Sequence, residues 1–152
     1  MKKIILVLVA VVMGSMAMAQ SNAIGIRFNY GDGSRTGYEL SWQHGLGANR
    51  MELDLGTIVG DNGMGFNLTG TYLWNGTFTG GFGWFAGVGA QVGFWNFDNG
   101  GFALALVGQA GLEYKFSAIP LQITLDLRPT FNFLPYSEFH WGGVTGGLRY
   151  TF

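Results

Sequence analysis

Histidines are few in this chain, and one short segment places one of them beside a serine and a carboxylate. His44 and His140 are its two histidines, and it has no cysteine. Ser137, Glu138 and His140 bring a hydroxyl, a carboxylate and an imidazole together, the three groups used in acyl transfer. Residues this close in sequence rarely reach the geometry in which a base activates a nucleophile. We therefore interpret them as polar connection residues, place His44 at a strand end, and predict no enzyme activity.

The sequence shows no pattern typical of a metal or phosphate site. Two distant histidines without regular spacing do not form a zinc site. Segments 61–63 and 98–100 lack the alternating oxygen ligands and distal glutamate of a calcium loop. The glycine-rich run 87–93 has the wrong spacing for a phosphate loop, and no helix is predicted after it. Because cysteine is absent, disulfides and thiolate ligands are excluded, and no cofactor is predicted.

Charged residues are scarce in this chain, whereas glycines and aromatic residues are abundant. Of 152 residues, 27 are glycine, 16% are aromatic and 48% are hydrophobic. The charged fraction is 11%, against about 25% in typical soluble domains. The hydrophobic content excludes a disordered or collagen-like chain. A net charge of −1 provides no basic stripe for a nucleic-acid backbone, so no nucleic-acid partner is predicted.

The first residues have the layout of a secretory signal peptide. A pair of lysines is followed by the apolar run 4–13 and by an Ala-x-Ala motif that ends at Ala19. The apolar run is shorter than the roughly 20 residues that a spanning helix needs, so the sequence favours a cleaved signal peptide over an uncleaved membrane anchor. We predict that residues 1–19 are cleaved and that residues 20–152 form one exported domain.

Beyond the signal peptide, apolar and polar residues alternate with a period of two, which predicts β-strands. In segment 121–133 the odd positions are all apolar and the even positions are polar or charged. Segments rich in glycine, aspartate and asparagine separate the alternating runs, where hairpin turns are expected: 31–34, 61–63, 75–76 and 98–101, with 117–120 as a further connection. Eight strands are predicted, at 22–30, 37–46, 50–59, 65–74, 82–94, 102–116, 121–133 and 142–152.

The fifth predicted strand, 82–94, is the least typical because its second face is small rather than polar. Gly87, Gly89 and Gly93 lie on that face. Glycine normally weakens a strand, but on the concave side of a narrow barrel it makes room for bulkier neighbours. We therefore expect this strand to face a crowded interior.

The charged residues of the predicted mature chain avoid the apolar strand face. Six lie in predicted turns or strand ends: Asp32, Arg35, Arg50, Asp61, Asp98 and Glu138. The other nine lie on the polar face and are predicted to form a lumen charge network: Arg27, Glu39, Glu52, Asp54, Glu113, Lys115, Asp126, Arg128 and Arg149.

This segregation distinguishes two kinds of β-structure. A soluble sandwich or lipocalin-like barrel would turn the charged face to water and would carry many more exposed lysines and glutamates. A closed barrel in a bilayer turns its apolar face to lipid and its polar face to the lumen, and it pairs every backbone group. We therefore predict an all-β fold, an eight-stranded antiparallel up-and-down transmembrane β-barrel in contact with membrane lipid. A soluble exported lipocalin-like binder of a small apolar ligand is the alternative.

Aromatic residues cluster near the predicted strand ends, as in the two interfacial girdles of membrane barrels. The alternative explanation is the ordinary β-propensity of aromatic residues. One set comprises Tyr38, Trp95, Phe97, Phe131 and Phe133. The other comprises Trp42, Trp74, Trp84, Tyr114, Phe116, Tyr150 and Phe152.

The end of the chain resembles the C-terminal assembly signal of outer-membrane proteins, in which alternating residues lead to a terminal aromatic. Leu148, Tyr150 and Phe152 carry this resemblance. With the signal peptide and eight strands, the mature chain resembles the small outer-membrane β-barrel family of the OmpA and OmpX type.

The family resemblance implies a bacterial outer-membrane location and recognition of the last strand by the barrel-assembly machinery. It also implies periplasmic termini, with extracellular connections near 31–36, 60–64, 95–101 and 134–141. These connections are short, whereas OmpX-like members raise longer extracellular strands, so an adhesive role is not predicted.

The nine charged residues of the polar face point to the function of the lumen. Eight strands enclose a space just wide enough for side chains, so five acids and four bases are expected to pair there. Buried charges left unpaired would cost several kcal/mol, which favours a paired network over an open acidic well. We predict a structural or membrane-integrity role, with a narrow channel for ions or small solutes as the alternative. The sequence does not indicate an oligomeric state.

Overall fold

A computed structural model describes residues 22–30, 37–60, 63–96 and 99–152, with the backbone alone at 58–60. The predicted signal peptide, residues 1–19, and the connection 31–36 lie outside the described residues. Every regular element in the described part of the chain is a β-strand. Within the same residues, no helix is long and apolar enough to cross a membrane.

Ten β-segments make up the described structure, and all of their pairings are antiparallel. They are β1 (Asn22–Tyr30), β2 (Gly37–Leu46), β3 (Asn49–Gly60), β4 (Gly63–Thr79), β5 (Phe82–Trp95), β6 (Gly101–Lys115), β7 (Leu121–Leu127), β8 (Thr130–Leu134), β9 (Glu138–His140) and β10 (Val144–Thr151).

The sheet closes on itself. Successive strands from β1 to β7 pair with one another, and β10 pairs with β7 on one side and β1 on the other. Segments β8 and β9 pair with each other and continue the wall strands that contain β7 and β10, so the ten segments form eight wall strands. The structure therefore confirms the predicted eight-stranded antiparallel barrel.

Two predicted boundaries at the seventh and eighth strands are wrong. The predicted strand 121–133 is interrupted after Leu127, where Pro129 has no N–H to donate to a neighbouring strand. The predicted connection 134–141 contains β9, whose residues pair with β8. The hairpin between the last two wall strands therefore rises further than the sequence pattern predicted.

The turn predicted at 75–76 is also wrong, because β4 continues to Thr79. Gly76 pairs with Trp84, whose indole packs over the space that a side chain at Gly76 would fill. The chain turns instead at residues 80–81, where Gly80 has a φ of 54°. This left-handed conformation is one that glycine adopts readily.

The polarity of the barrel is the inverse of that of a water-soluble protein. Among the described residues, five apolar side chains are buried, against eighteen polar or charged ones. Large apolar side chains point outward instead; Ile26 is 56% exposed and Leu125 is 57% exposed. Because the side chains of a strand alternate between its two faces, this places the polar set in the lumen.

Candidate functional site

The polar side chains of the lumen converge because they occupy alternate positions on neighbouring strands. Seven charged residues form one group, each at most 5% exposed. We call this group the central network. It consists of Arg27 on β1, Glu39 on β2, Glu52 and Asp54 on β3, Asp126 on β7, Arg128 just after β7, and Arg149 on β10.

Arg27 contacts carboxylates from several wall strands. Its Nη1 donates to Glu52 Oε1 at 2.7 Å and to Asp54 Oδ2 at 2.8 Å. Its Nη2 donates to Asp126 Oδ1 at 2.6 Å, and Nη1 lies 3.7 Å from Glu39 Oε2. One guanidinium thus joins β1 to β2, β3 and β7 across the lumen.

Arg128, just after β7, contacts three of the same carboxylates. Its Nη1 donates to Glu39 Oε2 at 3.2 Å, and its Nη2 donates to Glu52 Oε1 at 3.1 Å. The same Nη2 also donates to Asp54 Oδ2 and to Gln109 Oε1, the latter at 3.2 Å. Asp54 Oδ2 is therefore shared by two guanidiniums, Arg27 and Arg128.

Glu52 is the hub of the central network. Its Oε2 lies 3.1 Å from Nη2 of Arg149, so that it contacts all three guanidiniums. The amides of Gln43 and Gln109 donate to it at 2.5 Å and 3.0 Å. Arg149 is held further by Ser41 and Thr124, which accept from its Nε and Nη1 at 2.9 Å and 3.0 Å.

The central network contains three guanidiniums and four carboxylates and is closed to solvent. Burying such charges is favourable only when ion pairs and hydrogen bonds replace the water they lose. Because most of the partners lie on strands that are not neighbours, these pairs also link distant parts of the wall. The arrangement can therefore fix the shape of the barrel and fill its middle.

A second group surrounds Arg50, and we call it the Arg50 cluster. Nη1 of Arg50 donates to Glu113 Oε2 at 2.6 Å, and its guanidinium carbon lies 4.9 Å from the ring centroid of Phe85, within cation–π range. Gln122 also donates to Glu113 Oε2, at 2.6 Å. Lys115 lies at the edge of the cluster, 3.6 Å from Glu113 Oε1, with a half-exposed side chain.

Arg50, which was predicted in a turn or at a strand end, lies near the start of β3, and its side chain is buried in the lumen. The strand β3 begins at Asn49, which makes Arg50 its second residue. Arg50, Glu52 and Asp54 are spaced by two and share one face. This spacing was the signal in the sequence that could have placed Arg50 with the other lumen charges.

The two histidines lie away from the central network. His140 Nε2 is 3.1 Å from Glu138 Oε2 near the end of the barrel opposite the termini, and His44 Nδ1 is 2.6 Å from Asn22 Oδ1 at the other end. Among the described residues, no three or more histidine or acidic side chains are arranged to hold a metal ion.

The three residues of the predicted assembly signal follow the alternation of β10. Leu148 and Tyr150 are exposed on the outer face, and the rings of Tyr150 and Phe152 stack with centroids 6.3 Å apart. Main-chain hydrogen bonds in both directions join Phe152 to Asn22. The last strand therefore closes the barrel against the first.

Comparison with known proteins gives a likeness of fold. No protein-family model matches the chain, and no curated protein sequence matches it. The crystal structure of Neisserial surface protein A (NspA) is similar, with a TM-score of 0.52 and 13% sequence identity. The match covers 86% of this chain and 94% of that protein. At this identity the likeness supports the β-barrel architecture alone.

Proposed function

We propose that this chain is an integral outer-membrane β-barrel with a structural or membrane-integrity role. The observation that carries the proposal is the inverted polarity of the barrel, with charged side chains buried in the lumen and large apolar side chains exposed on the outer face. A bilayer provides an apolar environment for such an outer face, and a closed barrel leaves no backbone group unpaired within it.

The soluble lipocalin-like alternative predicts the opposite arrangement. A soluble binder of an apolar ligand needs an apolar interior and a polar outer surface. The described lumen-facing side chains are mainly polar or charged, and Leu40, Ile26 and Leu125 are among many large apolar side chains on the outside. This distribution favours the membrane barrel.

The proposed location is the bacterial outer membrane, reached with the cleaved signal peptide 1–19. The sequence layout of residues 1–19 and the closed β-barrel support it, because barrels are the β-structures that span membranes. We extend the proposal to the OmpA and OmpX type, and to recognition of Leu148, Tyr150 and Phe152 by the assembly machinery. The alternating, aromatic-ended last strand supports both.

The central network supports a structural role for the lumen. Glu52 contacts guanidiniums from three different wall positions, which ties the wall together and occupies its middle. A narrow channel would need a continuous water path past these side chains. We therefore propose a filled, closed lumen. Conductance in a planar bilayer distinguishes this structural barrel from a narrow channel.

The first test is gel mobility of residues 20–152 refolded in detergent, with and without boiling. A closed membrane barrel resists unfolding by the gel detergent, so we expect the unboiled and boiled samples to migrate differently. The control is the same chain diluted into plain buffer, which should not give a folded species. A folded, monomeric protein in plain buffer, without a heat-dependent shift, would favour the lipocalin-like binder.

A further inference from the structure

Two hydrogen-bonded pairs of polar side chains lie on the outer face of the barrel, at the end that contains the termini. In the first pair, His44 Nδ1 lies 2.6 Å from Asn22 Oδ1. In the second, Asn49 Nδ2 donates to the hydroxyl of Tyr72 at 2.9 Å. Each of the four residues is separated by an even number of positions from an outward-facing apolar side chain of its own strand. We call these four residues the outer polar row.

The two pairs lie side by side across the strands β1 to β4. Asn22 is the register partner of His44. Met51 lies between His44 and Tyr72 and is the register partner of both. Neighbouring strands are about 4.8 Å apart, so the backbones at His44 and Tyr72 are separated by about 10 Å. One phospholipid head group, with a hydrogen bond at each of its ends, covers a gap of this size.

Asn22 determines which nitrogen of His44 is able to accept a hydrogen bond. The amide oxygen of Asn22 has no hydrogen, so His44 Nδ1 is the donor in their contact. In the neutral imidazole the other nitrogen, Nε2, is then an acceptor. The ring of Trp42 stacks on the imidazole, with centroids 5.6 Å apart and planes at 20°, and limits its rotation. His44 therefore presents an oriented acceptor on the outer face.

Asn49 has the opposite effect on Tyr72. The tyrosine oxygen accepts from Asn49 Nδ2, so its own hydrogen remains free to be donated. Tyr72 is 40% exposed, and Trp74 packs edge-on against its ring, with centroids 5.5 Å apart. Among the described residues, no charged side chain lies on the outer face at this end of the barrel. The outer polar row therefore offers one acceptor and one donor, and no ion-pair partner for a ligand with a net charge.

We propose that the outer polar row binds the head group of a phospholipid that carries a primary ammonium group, of the phosphatidylethanolamine class. The ammonium donates to His44 Nε2, and the phosphate accepts from the hydroxyl of Tyr72. A head group without net charge matches a row of neutral side chains. Polar and aromatic side chains at a membrane interface lie at the level of the head groups. The inference rests on the proposed function, because it requires the apolar outer face to lie in a bilayer.

Native mass spectrometry of residues 20–152 refolded in detergent tests the proposal by counting bound lipids. The probes are phosphatidylethanolamine and phosphatidylcholine with identical acyl chains, which share the phosphate. The quaternary nitrogen of choline has no N–H to donate. The wild type should bind phosphatidylethanolamine about tenfold more tightly, the effect of one hydrogen bond to a charged group. Equal binding, or a preference for phosphatidylcholine, would overturn the proposal. If the same sample still shows the heat-dependent gel shift, the membrane barrel itself stands.

Two variants assign the two ends of the head group. His44→Phe keeps an aromatic ring beside Trp42 but has no acceptor, so it should bind both lipids equally. Tyr72→Phe should bind both about tenfold more weakly, because both contain the phosphate.

Tyr150→Phe is the matched control. Tyr150 is also exposed on the outer face at this end, at 38%, but its ring stacks on Phe152. Its replacement should leave both affinities unchanged. An equal loss of affinity in Tyr150→Phe and Tyr72→Phe would show that the outer polar row is not a site. The comparison of the two lipids on the wild type does not depend on the folding of any variant.

Discussion

Glu52 shows how single residues stabilise this interior. It is fully buried, yet three guanidiniums and two amides surround its carboxylate. A charge so far from water is tolerated only while its partners are in place, and removal of one partner leaves the others unpaired. Mutations within the central network should therefore cost more than mutations of charges on the connections.

Arg128→Ala should lower the free energy of unfolding by about 3–5 kcal/mol, because carboxylates of the central network lose a buried partner. Arg35→Ala, in a segment predicted to be a turn, should change it by less than about 0.5 kcal/mol. The measurement is the thermal midpoint of each variant in the same detergent. Equal midpoints for the two variants would contradict the paired lumen.

Glu113→Ala should also destabilise the barrel by about 3–5 kcal/mol, because it leaves Arg50 buried without its carboxylate. Glu138→Ala is the matched control, since that side chain is 62% exposed and its removal should cost less than about 1 kcal/mol. Urea unfolding in detergent micelles measures both. A smaller loss for Glu113→Ala than for Glu138→Ala would show that the Arg50 cluster does not stabilise the fold.

At the scale of elements, glycine on the inner face of β5 sets how closely β4 and β5 approach. A Cβ atom at Gly89 would overlap the carbonyl of Gly70 on β4. At Gly93 the nearest atom to a Cβ would be the Cβ of Ala103, at an ordinary 3.7 Å. The two glycines face the same lumen but differ in the space around them.

Gly89→Ala should therefore destabilise the barrel by about 1–3 kcal/mol through overpacking, since a backbone carbonyl must move to admit the methyl group. Gly93→Ala should change stability by less than about 0.5 kcal/mol. Unfolding midpoints of the two variants in one detergent give the comparison. If Gly89→Ala were as stable as Gly93→Ala, the close approach of β4 and β5 would be wrong.

The elements could be predicted where side-chain alternation was clear, and not where a local irregularity interrupted it. The period of two placed the polar faces of β1, β2 and β7 and predicted eight wall strands. It did not predict that the Trp84 indole packs over Gly76, or that β4 continues beyond the turn dipeptide at residues 75–76. Nor did it predict the break after Leu127, where Pro129 has no N–H to donate to a neighbouring strand. The contacts of the central network could not be predicted, because they depend on the pairing register of strands that are distant in sequence.

At the scale of the whole molecule, the filled lumen predicts low conductance. Glu52 and Arg128 are in contact in the middle of the barrel, so removing both side chains should open a water path. We expect the double variant Glu52→Ala with Arg128→Ala to conduct ions in planar bilayers more than the wild type does. If the wild type already conducts ions as strongly as the double variant does, the result would support the narrow channel instead.

At the scale of the whole molecule, fluorescence quenching from lipid tests most directly whether the apolar outer face of the barrel lies against the bilayer. Trp74 and Trp84 are exposed on the outer face, at 45% and 39%. In vesicles whose acyl chains carry bromine, the tryptophan emission of residues 20–152 should be strongly quenched relative to vesicles of ordinary lipid. Replacing Trp74 and Trp84 with phenylalanine should remove much of the quenching. Equal emission in brominated and ordinary lipid would contradict a barrel whose apolar face lies against the bilayer.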